Sequence, residues 1–249
     1  MRVIDCHAHN WSLYADPDKL REAVERFDVT WTVLAAPLIG GAYPSRTEVV
    51  ASNDLTLRFM CELPDRVLGL AYLNPVWEDQ APGELCRCLD AGMIGMKLWV
   101  ATRCTDPRVF PLVEICVERQ VPMLLHTWVK ITGNMKYEST PTDMAELAAR
   151  YPEGKFVMAH FGGDWEFGLK AIRHLPNVRA DFCGSINERG AYEMGVRELG
   201  ADRVCFGTDG PADYLINLGR VLQCPFSDEV KQKILATNFE SLLAQPLPH

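Results

Sequence analysis

The residues able to do chemistry in this 249-residue chain stand at recurring positions. Two histidines close the segment Asp5-Cys6-His7-Ala8-His9, one lies in Met123-Leu124-Leu125-His126-Thr127-Trp128, and one in Phe156-Val157-Met158-Ala159-His160-Phe161-Gly162-Gly163. An aspartate ends a fourth segment of the same kind, Phe206-Gly207-Thr208-Asp209-Gly210-Pro211. His174 and His249 lie outside this pattern, at a candidate helix end and at the chain terminus. A single histidine at a strand end is ordinarily a satisfied polar residue. Four of them with an aspartate, each ending an apolar run, point instead to a shared site. Three imidazoles and a carboxylate form a nitrogen and oxygen set suited to a borderline divalent ion such as Zn2+. Such an ion lowers the pKa of a bound water towards ~7 and provides hydroxide at neutral pH.

Something must bring these residues together, and the apolar runs are the means. Eight occur, at Val3–His9, Trp31–Pro37, Val67–Asn74, Ile94–Val100, Pro122–Trp128, Phe156–Phe161, Val178–Cys183 and Val204–Asp209. They lack strict alternation, as strands buried on both faces do. Between them lie candidate helices at Asp18–Phe27, Thr47–Cys61, Gly83–Ala91, Arg108–Arg119, Thr142–Arg150, Glu166–His174, Arg189–Leu199 and Ala212–Leu222, with a ninth at Asp228–Leu243. Strand–helix alternation throughout predicts a parallel α/β architecture. Eight units in this length favour one (β/α)8 TIM barrel over residues 1–249 rather than an open doubly wound sheet. In a barrel, residues at the C-terminal ends of different strands converge above the packed interior. Alternation along a strand puts Asp5, His7 and His9 on one face, with Asp5 deeper as a partner for a histidine or for Lys97.

Composition excludes several classes. Lys and Arg number 25 against 33 Asp and Glu, a net charge of −8, and no basic run is present, so nucleic acid is not an expected ligand. No stretch approaches the roughly 18 consecutive apolar residues of a membrane span. The N-terminus leads straight into the first run without a signal peptide. Nine cysteines include one close pair, Cys86-x-Cys88, and no Cys-x-x-Cys, which reads as buried thiols in a reducing cytoplasm. The expected partner is a small-molecule substrate, and self-association into a homo-oligomer is left open.

The ordered set resembles the amidohydrolase superfamily, and in particular its "amidohydrolase 2" branch of single-barrel enzymes, which includes amino-carboxymuconate-semialdehyde decarboxylase. The matching pieces are Asp5-x-His7-x-His9, Gly95-Met96-Lys97-Leu98, His126, Ala159-His160-Phe161-Gly162-Gly163 and Gly207-Thr208-Asp209-x-Pro211. The resemblance implies that His7, His9, His126 and Asp209 bind one metal ion, with Asp209 also accepting a proton from the attacking water. It implies that His160 stays off the metal as a general acid or carbonyl-polarising group. Lys97 stands where some relatives carry a carbamylated lysine bridging two metals. Beside a cation it must be carbamylated, lose its proton, or turn away towards a substrate anion. One metal with Lys97 as a substrate or electrostatic group is the expected arrangement, and two metals if it is carbamylated.

Trp11, Trp77, Trp99, Trp128 and Trp165 fall at or just after strand ends, and Trp99 and Trp128 are best placed to line a pocket. Arg46, Arg103, Lys130 and Lys136 are candidate anchors for a substrate carboxylate. The segments Gly40–Pro44 and Val129–Ser139 are candidate lids. The leading expectation is hydrolysis of an amide, lactam, lactone or ester. The alternative on the same site is decarboxylation of an aromatic or unsaturated acid. A PHP-type phosphoesterase would need further early histidines, and a TatD-like nuclease a glutamate at Lys97. A non-catalytic metal-binding barrel would not need a spare His160.

Overall fold

Each apolar run becomes a parallel strand, shorter than its hydrophobic stretch because the chain turns as soon as the mouth residues are reached. The strands are β1 (Ile4–Ala8), β2 (Trp31–Leu34), β3 (Val67–Leu73), β4 (Gly95–Leu98), β5 (Pro122–Leu125), β6 (Lys155–Met158), β7 (Val178–Asp181) and β8 (Val204–Cys205). They pair in sequential order from β1 to β8. The ring closes between β8 and β1 through a parallel bridge of Ala8 with Asp209 and bonds from Cys6 N–H to the Phe206 carbonyl (3.0 Å) and from Asp209 N–H to the His7 carbonyl (2.8 Å). The chain is therefore a single (β/α)8 barrel. This computed structural model describes residues 1–9, 16–35, 41–184 and 188–247.

Helices α1 (Pro17–Arg26), α2 (Arg46–Glu62), α3 (Ala81–Asp90), α4 (Phe110–Arg119), α5 (Pro141–Arg150), α6 (Trp165–Ile172), α7 (Ala191–Leu199) and α8 (Tyr214–Leu222) cover the ring. Their starts are set by side chains that take up otherwise orphaned backbone donors. Ser45 with Glu48 and Thr140 with Asp143 form reciprocal capping boxes at α2 and α5. The final helix expected over Asp228–Leu243 runs as α9 (Asp228–Gln232), a π-helical stretch over Lys233–Thr237 and α10 (Asn238–Glu240), with right-handed helical backbone at each junction.

Two layers of core hold the barrel. The larger lies between strands and helices. The smaller gathers Ile4, Cys6, Val33, Leu70, Leu124, Val157 and Cys205 from six strands with Ala236, Phe239 and Leu242 of the C-terminal segment. That segment closes the end where the strands begin, since Arg2 pairs with Glu240 (2.8 Å) and bonds Gln232 (3.1 Å). The opposite end is left for the polar groups, as the barrel rule requires. All nine cysteines are free thiols. Among the described residues, no helix is long and apolar enough to cross a membrane.

Candidate active site

His7 and His9 sit at the end of β1 and are buried, at 0% and 3% exposure. The carboxylate of Asp209 reaches them from the turn after β8, its Oδ1 3.4 Å from His7 Nε2 and 3.9 Å from His9 Nε2. One ligand atom from each of the three lies within 4.8 Å of the others. Asp209 takes a left-handed backbone conformation (φ 68°) to do this. A non-glycine residue held there is strained and is kept so by its surroundings.

The rear nitrogens of the rings are held by acceptors, which sets the tautomers. His7 Nδ1 donates to Asp181 Oδ2 (3.1 Å) at the end of β7, and His9 Nδ1 donates to the Ala35 carbonyl (2.7 Å) after β2. Both rings thereby turn Nε2 towards Asp209. His126 follows the same rule with its nitrogens exchanged. Its Nε2 donates to the carboxylate of Glu138 (2.9 Å), and its Nδ1 lies 3.2 Å from His160 Nε2. His126 stands outside the 4.8 Å trio.

His160 is buried but not on a strand. β6 ends at Met158, and Ala159–Gly162 form a tight turn with His160 and Phe161 in the left-handed region (φ 60° and 48°). This turn swings the ring across the mouth beside His126. Because Glu138 accepts the Nε2–H of His126, the Nδ1 of that ring carries its lone pair at the mouth, beside His160 Nε2. The other nitrogen of His160, Nδ1, meets the carbonyl and the thiol of Cys183, each at 3.3 Å, so the ring carries its proton there. Asp181 fixes the turn as well, accepting the His160 backbone N–H through Oδ1 (3.1 Å). Gly184 (φ 81°) passes so close that a Cβ would lie 3.1 Å from His160 Nδ1 and 3.4 Å from Asp209 Oδ2, so only glycine leaves this space open.

Lys97, at 0% exposure, does not turn away. Its Nζ is 2.7 Å from His7 Nε2. Burial lowers its pKa, opposed by the carboxylates of Asp209 and Asp181. Burial also pushes His9 and His160 down to about 4, so both rings are neutral at pH 7. His7 is held well below its ordinary value by burial and by the Lys97 charge. Burial alone would raise the Asp209 carboxyl, but His160, His7, His9 and Lys97 together hold it well below the usual range. The mouth thus presents the ionised carboxylate of Asp209 beside the ring nitrogens of His7 and His9, a donor set able to hold a divalent cation.

Asp5 plays a different part from the one expected. Its carboxylate accepts from the backbone of His7 (3.2 Å) and of Thr208 (3.1 Å) and meets the Thr208 hydroxyl at 2.6 Å, with no bond to a histidine ring or to Lys97. The β1–β2 register shifts between Asp5 and Ala8, so simple alternation does not carry from Asp5 to the mouth. Burial raises its carboxyl to about 8, which makes it a neutral tie between β1 and the β8 turn.

Trp128 packs against the site, its ring 4.7 Å from that of His160 and stacked on that of His126 at 5.9 Å. A Cβ at Gly163 would collide with this indole (2.5 Å), so that glycine leaves room for it. Trp99 is half-buried and Arg103 exposed. Trp77 bonds the Pro44 carbonyl (3.0 Å) under the Arg46 guanidinium, and Trp165 bonds Glu188. Arg46 pairs with Asp79, Lys130 with Glu138, and Lys136 lies over Tyr137. Trp11 and Gly40 fall outside the described residues.

Three residues in this constellation were not singled out by sequence reasoning: Asp181, Cys183 and Glu138. The first two had a signal, since Asp181 and Cys183 lie at the end of the seventh run, Val178–Cys183. Glu138 had none.

A closed parallel barrel with a cation-ready cluster at its C-terminal mouth defines a class of enzyme scaffold, and comparison with known proteins narrows it. Residues 4–243 match the family model described as amidohydrolase. The chain belongs to the amidohydrolase family. It is 24% identical, over 90% of its length and 75% of the other's, to 2-amino-3-carboxymuconate-6-semialdehyde decarboxylase of Dictyostelium discoideum. Its fold is similar to that of 5-carboxyvanillate decarboxylase from Sphingomonas paucimobilis (TM-score 0.78, 15% identity, 97% and 98% of the two chains). It is also similar to 5-carboxyvanillate decarboxylase from Novosphingobium aromaticivorans complexed with manganese and 4-hydroxy-3-methoxy-5-nitrobenzoic acid (TM-score 0.73, 17% identity, 89% and 78% of the two chains).

Proposed function

We propose that this protein is a metal-dependent decarboxylase of a small aromatic or unsaturated carboxylic acid. The observation that carries this reading is the trio His7, His9 and Asp209, each histidine with its rear nitrogen tied down, in a chain whose similar proteins include decarboxylases. His7, His9 and Asp209 would hold one divalent ion, and His126 is the fourth candidate ligand through Nδ1. The donor set suits zinc, and the manganese in one similar enzyme makes that ion the alternative. Such an ion supplies a Lewis acid against which substrate oxygens bind.

The chain's own residues do the rest. Asp209, ionised at neutral pH, balances the positive charge of the site and orients His7 and His9. Lys97 adds positive potential beside the position of the substrate's carboxylate. Trp128 offers a flat wall for a planar substrate, with Trp99 beside the mouth and Arg103 as an outer anchor. When the bond between the substrate carbon and its carboxyl carbon breaks, the electron pair stays on the substrate carbon and CO2 departs. That carbon then takes a proton, which we assign to a relay through His160, the ring passing on a proton drawn from water and returning to its neutral form.

Hydrolysis of an amide, lactam, lactone or ester is the other reading, supported by the family's description alone. The two are separated by incubating the enzyme with hydroxylated benzoates, carboxyvanillate and a carboxymuconate semialdehyde in 18O-labelled water. Decarboxylation gives CO2 in step with product, no label in the organic product, and loss of turnover in Asp209→Asn. Labelled acid released from a lactone or ester by the wild type but not by Asp209→Asn, with no CO2 from any acid, would establish hydrolysis.

A further inference from the structure

The segments that follow β5 and β6 enclose a second hollow outside the ring of mouth histidines. It is a cleft of about 770 Å³, a size that holds a small organic molecule. One wall is the start of the β5–α5 segment, from Trp128 to Thr132, and the other runs from Gly163 into α6. Its apolar lining comes from Trp128, Trp165, Phe167 and Ile131, the last two exposed to water. Its charged side chains are already engaged. Lys130 pairs with Glu138 and Lys170 with Glu166, Glu188 accepts the Trp165 indole N–H, and Asp164 caps α6. Such a lining suits a flat apolar group better than an ion.

Among the described residues, Trp128 is the one side chain that both lines this cleft and touches the mouth histidines. Its ring centroid lies 4.7 Å from that of His160 and 5.9 Å from that of His126. Mouth and cleft are therefore separated by the thickness of one indole. Gly163 completes the wall, since the ring rests where a Cβ of that residue would stand.

We propose that Trp128 sets the size of acid the enzyme accepts: it holds the substrate to one ring or a short unsaturated chain at the mouth and shuts it off from a cleft that would take a second ring. This rests on the substrate reading above, since it concerns what the mouth binds. A substituent pointing towards the loops after β5 and β6 meets the indole, and displacing a packed ring costs more than the new contacts return. With the indole removed, the same substituent enters the cleft and buries against Trp165, Phe167 and Ile131.

The test compares salicylate with its phenyl-substituted isomers, by calorimetric titration of the manganese-loaded protein and in the decarboxylation assay. In the wild type every phenyl isomer should bind at least about 10-fold more weakly than salicylate. Trp128→Ala should weaken salicylate, which loses its wall, and tighten one phenyl isomer, so that the ratio of the two affinities moves about 10- to 100-fold. Trp128→Phe, a smaller ring in the same place, should move the ratio the same way by less, and serves if the alanine variant does not fold. Phe167→Ala, a change in the cleft and not in the mouth, should take back most of the gain when added to Trp128→Ala. A wild type that binds a phenyl isomer as well as salicylate would overturn the proposal. So would folded Trp128 variants with an unchanged ratio. If the affinities move as stated while no acid releases CO2, the partition stands and the proposed function fails. If CO2 is released but the ratio does not move, the function stands and the partition falls.

Discussion

His7 and His126 are held by the same chemistry and by opposite parts of the molecule. The rear nitrogen of His7 is fixed by Asp181, a strand-end residue locked between β6 and β8 at 0% exposure. The rear nitrogen of His126 is fixed by Glu138, twelve residues further along the same chain in a loop whose tip is open to water. Both carboxylates orient a ring, but only Asp181 also ties the His160 turn to the barrel. One half of the site is thus part of the core's own polar satisfaction, and the other is carried by a detachable element. Damage to the first should cost stability and activity together; damage to the second should cost activity with the barrel intact.

The largest expected effect falls on Asp209, the carboxylate of the trio. Asp209→Asn should lower kcat/KM by about 10²–10⁴-fold and reduce bound metal, measured by steady-state kinetics and elemental analysis. Asp181→Ala should follow. It strands the His7 Nδ1 and His160 backbone donors, each a penalty of about 1–3 kcal/mol, so a melting temperature about 5 °C or more lower should accompany the loss of activity. Glu138→Ala should differ from it in a thermal melt, with a fall of less than about 3 °C. Equal falls in the two variants would erase the contrast between core and loop.

Acid should act through the core half. Burial holds His9 and His160 near 4, below the ordinary value of 6.5 that they regain on unfolding. Between those values the unfolded chain binds more protons than the folded one, so stability rises with pH and is lost as pH falls from 6.5 towards 4. Glu138 adds to this only at lower pH. Its carboxyl, which burial would raise, is brought from 4.5 down to about 2 by His126, Lys130 and the Met135 N–H, so its contribution is present above 4.5 and lost below it. Melts recorded from pH 7 to 4 should fall steadily through the upper window, and a flat profile there would contradict the buried neutral rings. The smallest effect is expected at Asp5. Held neutral at neutral pH, it should tolerate Asp5→Asn with a change of about 1 kcal/mol or less, since the amide can accept both backbone donors and donate to Thr208.

Much of this architecture is legible from residue order. The eight apolar runs coincide with the eight strands, and His7, His9 and Asp209 meet as strand-end residues of a barrel must. What periodicity does not reveal is where a strand stops. β6 ends at Met158, just before His160 and Phe161 enter a left-handed turn, and β8 ends at Cys205, four residues before the left-handed Asp209. Nor does periodicity reveal that the final helix widens into a π-helical stretch over Lys233–Thr237, where Ala236, with Phe239 and Leu242 beyond it, joins the smaller core. Asp181 was readable as a carboxylate near the end of the seventh run. Glu138 was not, since its burial depends on how an aperiodic loop folds back on itself.

The central claim is that His7, His9 and Asp209 grip a single cation. Crystals grown with manganese and measured at its absorption edge would test this most directly. The expected anomalous map has one strong peak bounded by His7 Nε2, His9 Nε2 and an Asp209 carboxylate oxygen. A peak lodged instead among Asp181, Cys183 and the Nδ1 atoms of His7 and His160, or no peak in the barrel mouth, would contradict it.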